Sequence, residues 1–175
     1  MNIEQLIDAR YSCRNYSDKP VDKKLVEDIC LMAAKAPSAC NSQPWKIHAL
    51  YGEKKTAVAV ALEGLGLNAH AKAAPVLLAI EETSARYISR FQGIVQPNQW
   101  AKYDLGILAA HIVLLAKEKG LDSCIIGFNN PEAVKKALNT ENDVPLFITI
   151  GYANVDDVAP TRKRKAKDEI FIREE

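Results

Sequence analysis

Cysteine pairs, an excess of one charge and long apolar runs are all missing from this sequence, and each absence excludes a class of protein. The four cysteines, Cys13, Cys30, Cys40 and Cys124, are far apart with no CxxC pair. That spacing offers neither a metal-binding motif nor a disulfide framework, and the thiols read as reduced in a cytoplasmic protein. The 23 basic and 22 acidic residues give a formal net charge of +1, so no global field draws the chain to nucleic acid or to an anionic membrane. No apolar run reaches the ~18 residues of a membrane-spanning helix, and the start MNIEQLIDARYSCR has no apolar signal core. Repeats and low-complexity stretches are absent as well. What remains is an ordinary globular composition, 48% hydrophobic and 26% charged over 175 residues, which predicts one domain around one core.

The least ordinary stretch is APSACNSQPW, 36–45. A helical pattern stops there at Pro37 and an apolar strand begins at Trp45. Ala36 and Gln43, each before a proline, are pushed out of helical geometry, so the backbone between them is extended or turned. Ser38, Asn41, Ser42 and Gln43 add short polar side chains, a composition suited to a flat ligand with polar edges. Around this stretch the pattern is regular. Asn2 with Gln5 predicts a capped first helix, and Asp22 caps a second whose apolar stripe runs through Leu25, Val26, Ile29, Met32, Ala33 and Ala36. Alternation from Trp45 to Tyr51 predicts a half-buried strand with His48 on its polar face as a surface residue. A short helix over 54–62 and another turn of helix after Asn68, which is placed to cap it, lead to a strand over 76–80 closed by Glu81 and Glu82. Residues 83–99 have no clean period and read as a mobile cover or lid.

The longest helix, 100–119, has Leu105, Leu108, Ala109, Ile112, Leu115 and Ala116 on one face and ends at Gly120. Gly106, Ala109, Ala110 and Val113 form a second, small-residue face, which suggests a subunit interface. His111 reads as a buried or interface residue. A strand over 124–126 then ends at Gly127, Asn130 and Pro131 open another helix, and a third strand spans 146–150. Near the N-terminus RYSCR places Arg10, Ser12 and Arg14 at alternate positions, so an extended backbone projects all three to one side. That grouping fits a phosphate, although arginines at a helix C-terminus also serve the helix dipole. The basic run Arg162 to Lys165 is either a solvated tail or a second set of guanidiniums for the same anion, with a strand to follow over 169–172. As a nucleic-acid site it lacks an aromatic platform.

Taken in order, RYSCR, PSACNSQPW, KGLDSCIIGF and TRKRKAKDEI resemble the FMN-dependent nitroreductase family over nearly the whole chain. The resemblance implies an α+β fold, a mixed central β-sheet flanked by helices, with residues 1–175 as one domain in an intertwined homodimer that holds FMN at the subunit interface. It implies that Arg10, Tyr11, Ser12 and Arg14 hold the cofactor, Arg14 near the flavin N1 and O2 edge, and that Arg162 and Arg164 in the 160–175 tail serve its phosphate. Pro37, Ser38, Ala39 and Asn41 would line the partner's flavin, Asn68 its pyrimidine edge, and Ile126 and Gly127 its N5 side. Many members carry an acidic residue where this chain has Ile126. The implied activity is hydride transfer from NADH or NADPH through FMN to a small nitroaromatic or quinone acceptor, with no side chain acting as acid or nucleophile. A flavin-binding or flavin-sensing dimer without turnover, and the flavin-fragmenting and dehalogenating branches of the family, stay open at this point.

Overall fold

The computed structural model describes residues 1–86, 94–96 and 98–174. Its centre is a four-stranded sheet in the order β1-β2-β4-β3, with β1 at Trp45–Leu50, β2 at Val76–Glu82, β3 at Asp122–Ile126 and β4 at Leu146–Gly151. All three strand pairs are antiparallel. The parallel component anticipated in a mixed sheet is confined to one bridge, Ser12 with Ser123. The α+β class stands.

Helices cover both faces, so β2 reads as an unbroken apolar run. Val76, Leu78 and Ile80 face one layer, formed by α2 (Lys23–Ala33) and α5 (Ala101–Glu118), through Val26, Ile29, Leu105, Leu108 and Ile112. Leu77 and Ala79 face the other, where α3 (Gly52–Leu62), α4 (His70–Ala73) and α6 (Pro131–Leu138) contribute Val58, Leu62, Ala71 and Val134. Each buried aliphatic side chain of this kind is worth about 1.5–3 kcal/mol.

Local chemistry sets the helix ends. In α1 (Ile3–Ala9), Asn2 Oδ1 accepts from the Gln5 amide at 2.9 Å while Gln5 Oε1 accepts from the Asn2 amide at 2.8 Å, a reciprocal cap. Asp22 accepts from Lys24 N at 2.8 Å to open α2, and Asn130 with Pro131 opens α6. At the end of α5, Gly120 has φ +77°, Leu121 N donates to Ala116 O and Gly120 N to Lys117 O, which closes the helix in a Schellman motif.

Four expectations are corrected. His48 is no plain surface residue: Nε2 lies 2.5 Å from Oε2 of Glu81, a carboxylate only 2% exposed whose Oε1 accepts from Asn142 at 2.6 Å. β2 accordingly runs through Glu81 and Glu82 rather than ending before them. Asn68 does not cap α4 with its side chain, which donates instead to Leu62 O and Phe128 O. The tail over 169–172 is not a strand: a single helical turn, α7 (Lys167–Ile170), forms because Glu169 reaches back to accept from Ala166 N at 2.9 Å. His111 is exposed in the single chain, its Nδ1 bonded to Ile107 O. The lid expected over 83–99 falls partly on 87–93 and 97, outside the described residues.

Two outcomes follow for stability. A Cβ on Gly151 would lie 2.7 Å from Pro75 Cδ and 2.7 Å from Tyr16 Cδ1. Gly151→Ala should therefore destabilise the fold by about 1–3 kcal/mol, read as a lower urea midpoint. Burial pushes the Glu81 carboxyl up, but hydrogen bonds from Asn142 and His48 and the charge of Lys46 outweigh it, so the net shift is downward. A depressed folded pKa contributes stability above the ordinary carboxylate range and loses it as pH falls through the folded value. Urea midpoints taken between about pH 3 and 6 should fall less steeply on the acid side for Glu81→Gln than for the wild type; parallel curves would remove Glu81 from the acid response.

Candidate active site

α1 stops at Ala9, and the chain continues extended over 10–16. Three interactions hold this run. Cys13 N donates to Ser123 O at 3.1 Å, Tyr11 OH donates to Asp157 Oδ2 at 2.7 Å, and Tyr16 OH shares a 2.8 Å hydrogen bond with Thr149 Oγ1. Tyr11, Cys13 and Tyr16 are thereby buried, while Arg10 and Ser12 stay half-buried and Arg14 exposed. The alternation expected from RYSCR is present. Burial, followed by the Asp157 hydrogen bond, drives the Tyr11 hydroxyl far up, so it remains a neutral donor. Burial likewise pushes the Cys13 thiol up to about 11.

The tail reaches this run. Arg162 Nη1 donates to Arg10 O at 2.9 Å and Nη2 to Asp8 O, so the guanidinium caps the end of α1 and stands beside Arg10. The Arg10 pKa is lowered by burial and then by the positive charges of Arg162 and Arg164. No carboxylate pairs with Arg10, Arg14, Arg162 or Arg164 among the described residues. Crowded guanidiniums without a counter-charge are a cradle for a multiply charged anion. Beneath Arg10 and Ser12 a cavity of about 60 Å³ is closed by Val113, Ser123 and Ile125.

β3 and the loop before α4 carry the other residues expected near the ring, although Ile126 itself packs into the core beside α3 and α6, and Ile125 is the β3 residue that lines the cavity near Arg10. Ile126 is buried at the strand end, and a Cβ on Gly127 would meet nothing within 4 Å, so packing within the chain does not explain this glycine. Asn68, at φ +63°, ties Leu62 O to Phe128 O and fixes the loop against β3. Phe128 packs where a Cβ on Gly64 would sit, 2.7 Å from Cε1. His70 escaped the sequence reading. Its Nε2 is buried without a hydrogen-bond partner among the described residues, and burial and then the Arg14 charge hold its pKa below the ordinary value. Its position two residues after Asn68 was the only signal available.

Residues 37–41 form a separate feature. The 3-10 turn Ala39–Asn41 contains Cys40 at φ +55° and Asn41 at φ +51°, with Gln43 at φ +48° just beyond. Three non-glycine residues in left-handed geometry are strained, and surrounding contacts must hold them. Both carboxylate oxygens of Asp104 accept from Ala39 N, at 3.1 and 3.2 Å, and Ser38 Oγ accepts from Gln43 N at 3.0 Å. Asp104, 4% exposed in the first turn of α5, is the second residue the sequence did not reveal. No hydrogen bond or ion pair among the described residues joins Pro37, Ser38, Ala39 or Asn41 to Arg10, Ser12, Arg14 or Arg162. The chain thus presents two separate groups of candidate site residues.

Comparison with known proteins places this arrangement. The model of the nitroreductase family matches residues 7–64 and 52–152. A protein of Thermus thermophilus named NADH dehydrogenase is 27% identical over 172 residues, spanning 82% of each chain. Among solved structures, a nitroreductase family protein of Streptococcus pneumoniae superposes with a TM-score of 0.83 at 24% identity, covering 99% of this chain and 100% of that one. A nitroreductase of Sphigopyxis sp. strain HMH described as FMN- and NADPH-dependent gives a TM-score of 0.78 at 22% identity over 100% of both chains. These likenesses establish the fold.

Removing the Asp104 carboxylate leaves the Ala39 amide without its acceptor and frees the strained turn. Asp104→Ala should lower stability by about 1–3 kcal/mol in chemical unfolding, while Asp104→Asn, which keeps an oxygen acceptor, should recover much of the loss. Equal losses in the two variants would show that the acceptor is not what holds the turn.

Proposed function

Because the chain belongs to the nitroreductase family, we propose that it is an FMN-dependent oxidoreductase that passes electrons from NADH or NADPH to electron-poor acceptors such as nitroaromatics and quinones. The observation that carries this reading is the group of guanidiniums at Arg10, Arg162 and Arg164, where burial and then the neighbouring charges lower the pKa of Arg10 and no carboxylate among the described residues pairs with them. A phosphate monoester supplies the missing negative charge. When bound, FMN supplies the chemistry, taking a hydride from the nicotinamide at N5 and delivering two electrons to the acceptor.

The residues of the chain bind and orient. Arg10, Ser12, Arg162 and Arg164 hold the phosphate and ribityl end, and Tyr11 keeps the run in register from below. Arg14, exposed on the same face, brings a fixed positive charge to the flavin edge where negative charge develops on reduction. Asn68, Ile126 and Gly127 form the wall beside the ring, and the open space over Gly127 leaves room for it. Ile126 cannot supply a carboxylate there, so proton delivery falls to water or substrate.

The second half-site, Pro37, Ser38, Ala39 and Asn41, lines the flavin of the partner in a homodimer. An apolar stripe on α5 supports that assembly: Tyr103 is 72% and Ile107 37% exposed in the single chain, with Gly106 and Ala110 open between them. Ile3 and Ile7 on α1 are exposed as well. Residues at this spacing cover one helix face and are suited to packing against a second copy. No helix among the described residues is long and apolar enough to cross a membrane, and all four cysteines are free thiols; a cytoplasmic location belongs to the same proposal.

The protein should purify yellow or take up one FMN per chain, and oxidise NADH or NADPH steadily when a nitro or quinone acceptor is present. Each charge-assisted hydrogen bond lost to Arg10→Ala removes about 1.5–3 kcal/mol, so the FMN dissociation constant should rise roughly 10- to 150-fold, read by flavin fluorescence. A colourless protein that ignores added FMN sinks the reading. FMN uptake without NAD(P)H oxidation would leave a flavin-binding protein that is not an oxidoreductase.

A further inference from the structure

We propose that the cavity between the 3-10 turn and the end of β2 is a subsite for an anionic oxygen group, a carboxylate or phosphate carried by one of the two substrates. The proposal rests on the oxidoreductase reading above and names the substrate class it selects.

The cavity measures about 540 Å³ and is lined by Asn41, Ser42, Gln43, Thr83, Ser84 and Arg86. That volume is in the range of sites that hold small organic ligands. Its chemistry is one-sided: a guanidinium, three hydroxyls and two amides line it, without a carboxylate among the described residues. Arg86 makes no ion pair among the described residues. The hydroxyl oxygen of Ser42 is buried and has no hydrogen-bond partner among the described residues. A buried hydroxyl left in that state costs about 1–3 kcal/mol. Gln43 Nε2 already donates to Asn41 Oδ1 at 3.2 Å, which leaves the amide NH₂ of Asn41 as its free group. The groups left over are therefore mostly donors, and they suit an acceptor that carries charge.

The walls are fixed before any ligand arrives. Thr83 N donates to Pro44 O at 3.0 Å and joins the two sides. Asn98 accepts from Ala85 N at 2.8 Å and donates to Glu82 Oε1 at 3.0 Å and to Thr83 O at 3.3 Å. Glu82, the nearest carboxylate in sequence, is not among the described residues that line the cavity; Asn98 engages its Oε1, while its Oε2 is buried without a hydrogen-bond partner among the described residues. Asn41 belongs to the stretch assigned to the partner's flavin, so an anion anchored beside it would orient the attached ring toward the reacting centre.

Two substrates carry such a group: the 2′-phosphate distinguishes NADPH from NADH, and a carboxylate distinguishes 4-nitrobenzoate from nitrobenzene. The test compares FMN-loaded wild type with Arg86→Gln. Two ratios of kcat/KM are measured, NADPH over NADH and 4-nitrobenzoate over nitrobenzene, and benzoate and inorganic phosphate are titrated calorimetrically. The subsite predicts that one ratio falls at least about tenfold in the variant and that the matching anion binds at least about tenfold more weakly. A drop in the first ratio assigns the site to the donor, and a drop in the second to the acceptor. Ratios within about twofold of wild type, with neither anion sensitive to Arg86, overturn the proposal. Absence of turnover with every substrate, while anion binding still depends on Arg86, would refute the oxidoreductase reading and leave the subsite standing.

Discussion

The arrangement depends on a short extended run whose buried side is bolted down so that its open side can carry charge. Asp157 accepts from Tyr11 OH at 2.7 Å and lies 3.4 Å from Cys13 Sγ, so one carboxylate from the tail fixes two alternate residues of 10–16. The pleat then sends Arg10, Ser12 and Arg14 to the other side. Without those anchors the guanidiniums would repel one another and spread into solvent. With them, Arg10 is held part-buried beside Arg162 and Arg164, and burial first and their charges second lower its pKa. The positive end of the site is therefore imposed by burial and hydrogen bonding elsewhere, and the repulsion that remains is what an anion relieves.

What could be read from the residues alone divides by sequence distance. Asn2 with Gln5, Asp22, Gly120, and Asn130 with Pro131 act within five residues, and each helix end they predicted is present. The alternation in RYSCR was legible for the same reason. Glu81 was not, because its partners His48 and Asn142 lie 33 and 61 residues away and only strand pairing brings them together. Asp104 sits 65 residues from Ala39 in an otherwise apolar stripe, where a helical pattern shows a charge but not its purpose. The tail failed for a local reason: Glu169 to Ile172 alternates enough to suggest a strand, yet the Glu169 side chain closes a helical turn on Ala166 N first. That the distant motifs belong to one site is an expectation carried by family resemblance, which local chemistry alone does not give.

The strained turn bears on the proposed homodimer. With left-handed geometry at Cys40, Asn41 and Gln43, it makes no hydrogen bond or ion pair with the arginine group among the described residues. Asp104 nevertheless holds it from the first turn of α5, the helix whose outer face leaves Tyr103 and Ile107 open. A turn and an exposed apolar stripe mounted on one helix position each other, so packing of two such helices would set the turn against a second copy and the cofactor site together. Dimerisation and cofactor binding become one equilibrium on this view.

In a protein whose cofactor carries the chemistry, selectivity has to come from the walls around it. The arginine group offers little of that if, as proposed, it holds the same phosphate whichever substrate enters. The proposed ring wall at Ile126 and Gly127 offers little too, since Ile126 is apolar and buried and Gly127 has no side chain. The polar cavity beside Asn41 is different: it is lined by a guanidinium that makes no ion pair among the described residues, and by hydroxyl and amide side chains rather than apolar ones. Unsatisfied polar groups lower stability, and a fold that keeps them in place where substrates arrive gains differential binding in return. By that argument the proposed selectivity of this chain rests on Arg86 and the polar side chains beside it, while Arg10, Ser12 and Arg14 are proposed to hold the cofactor.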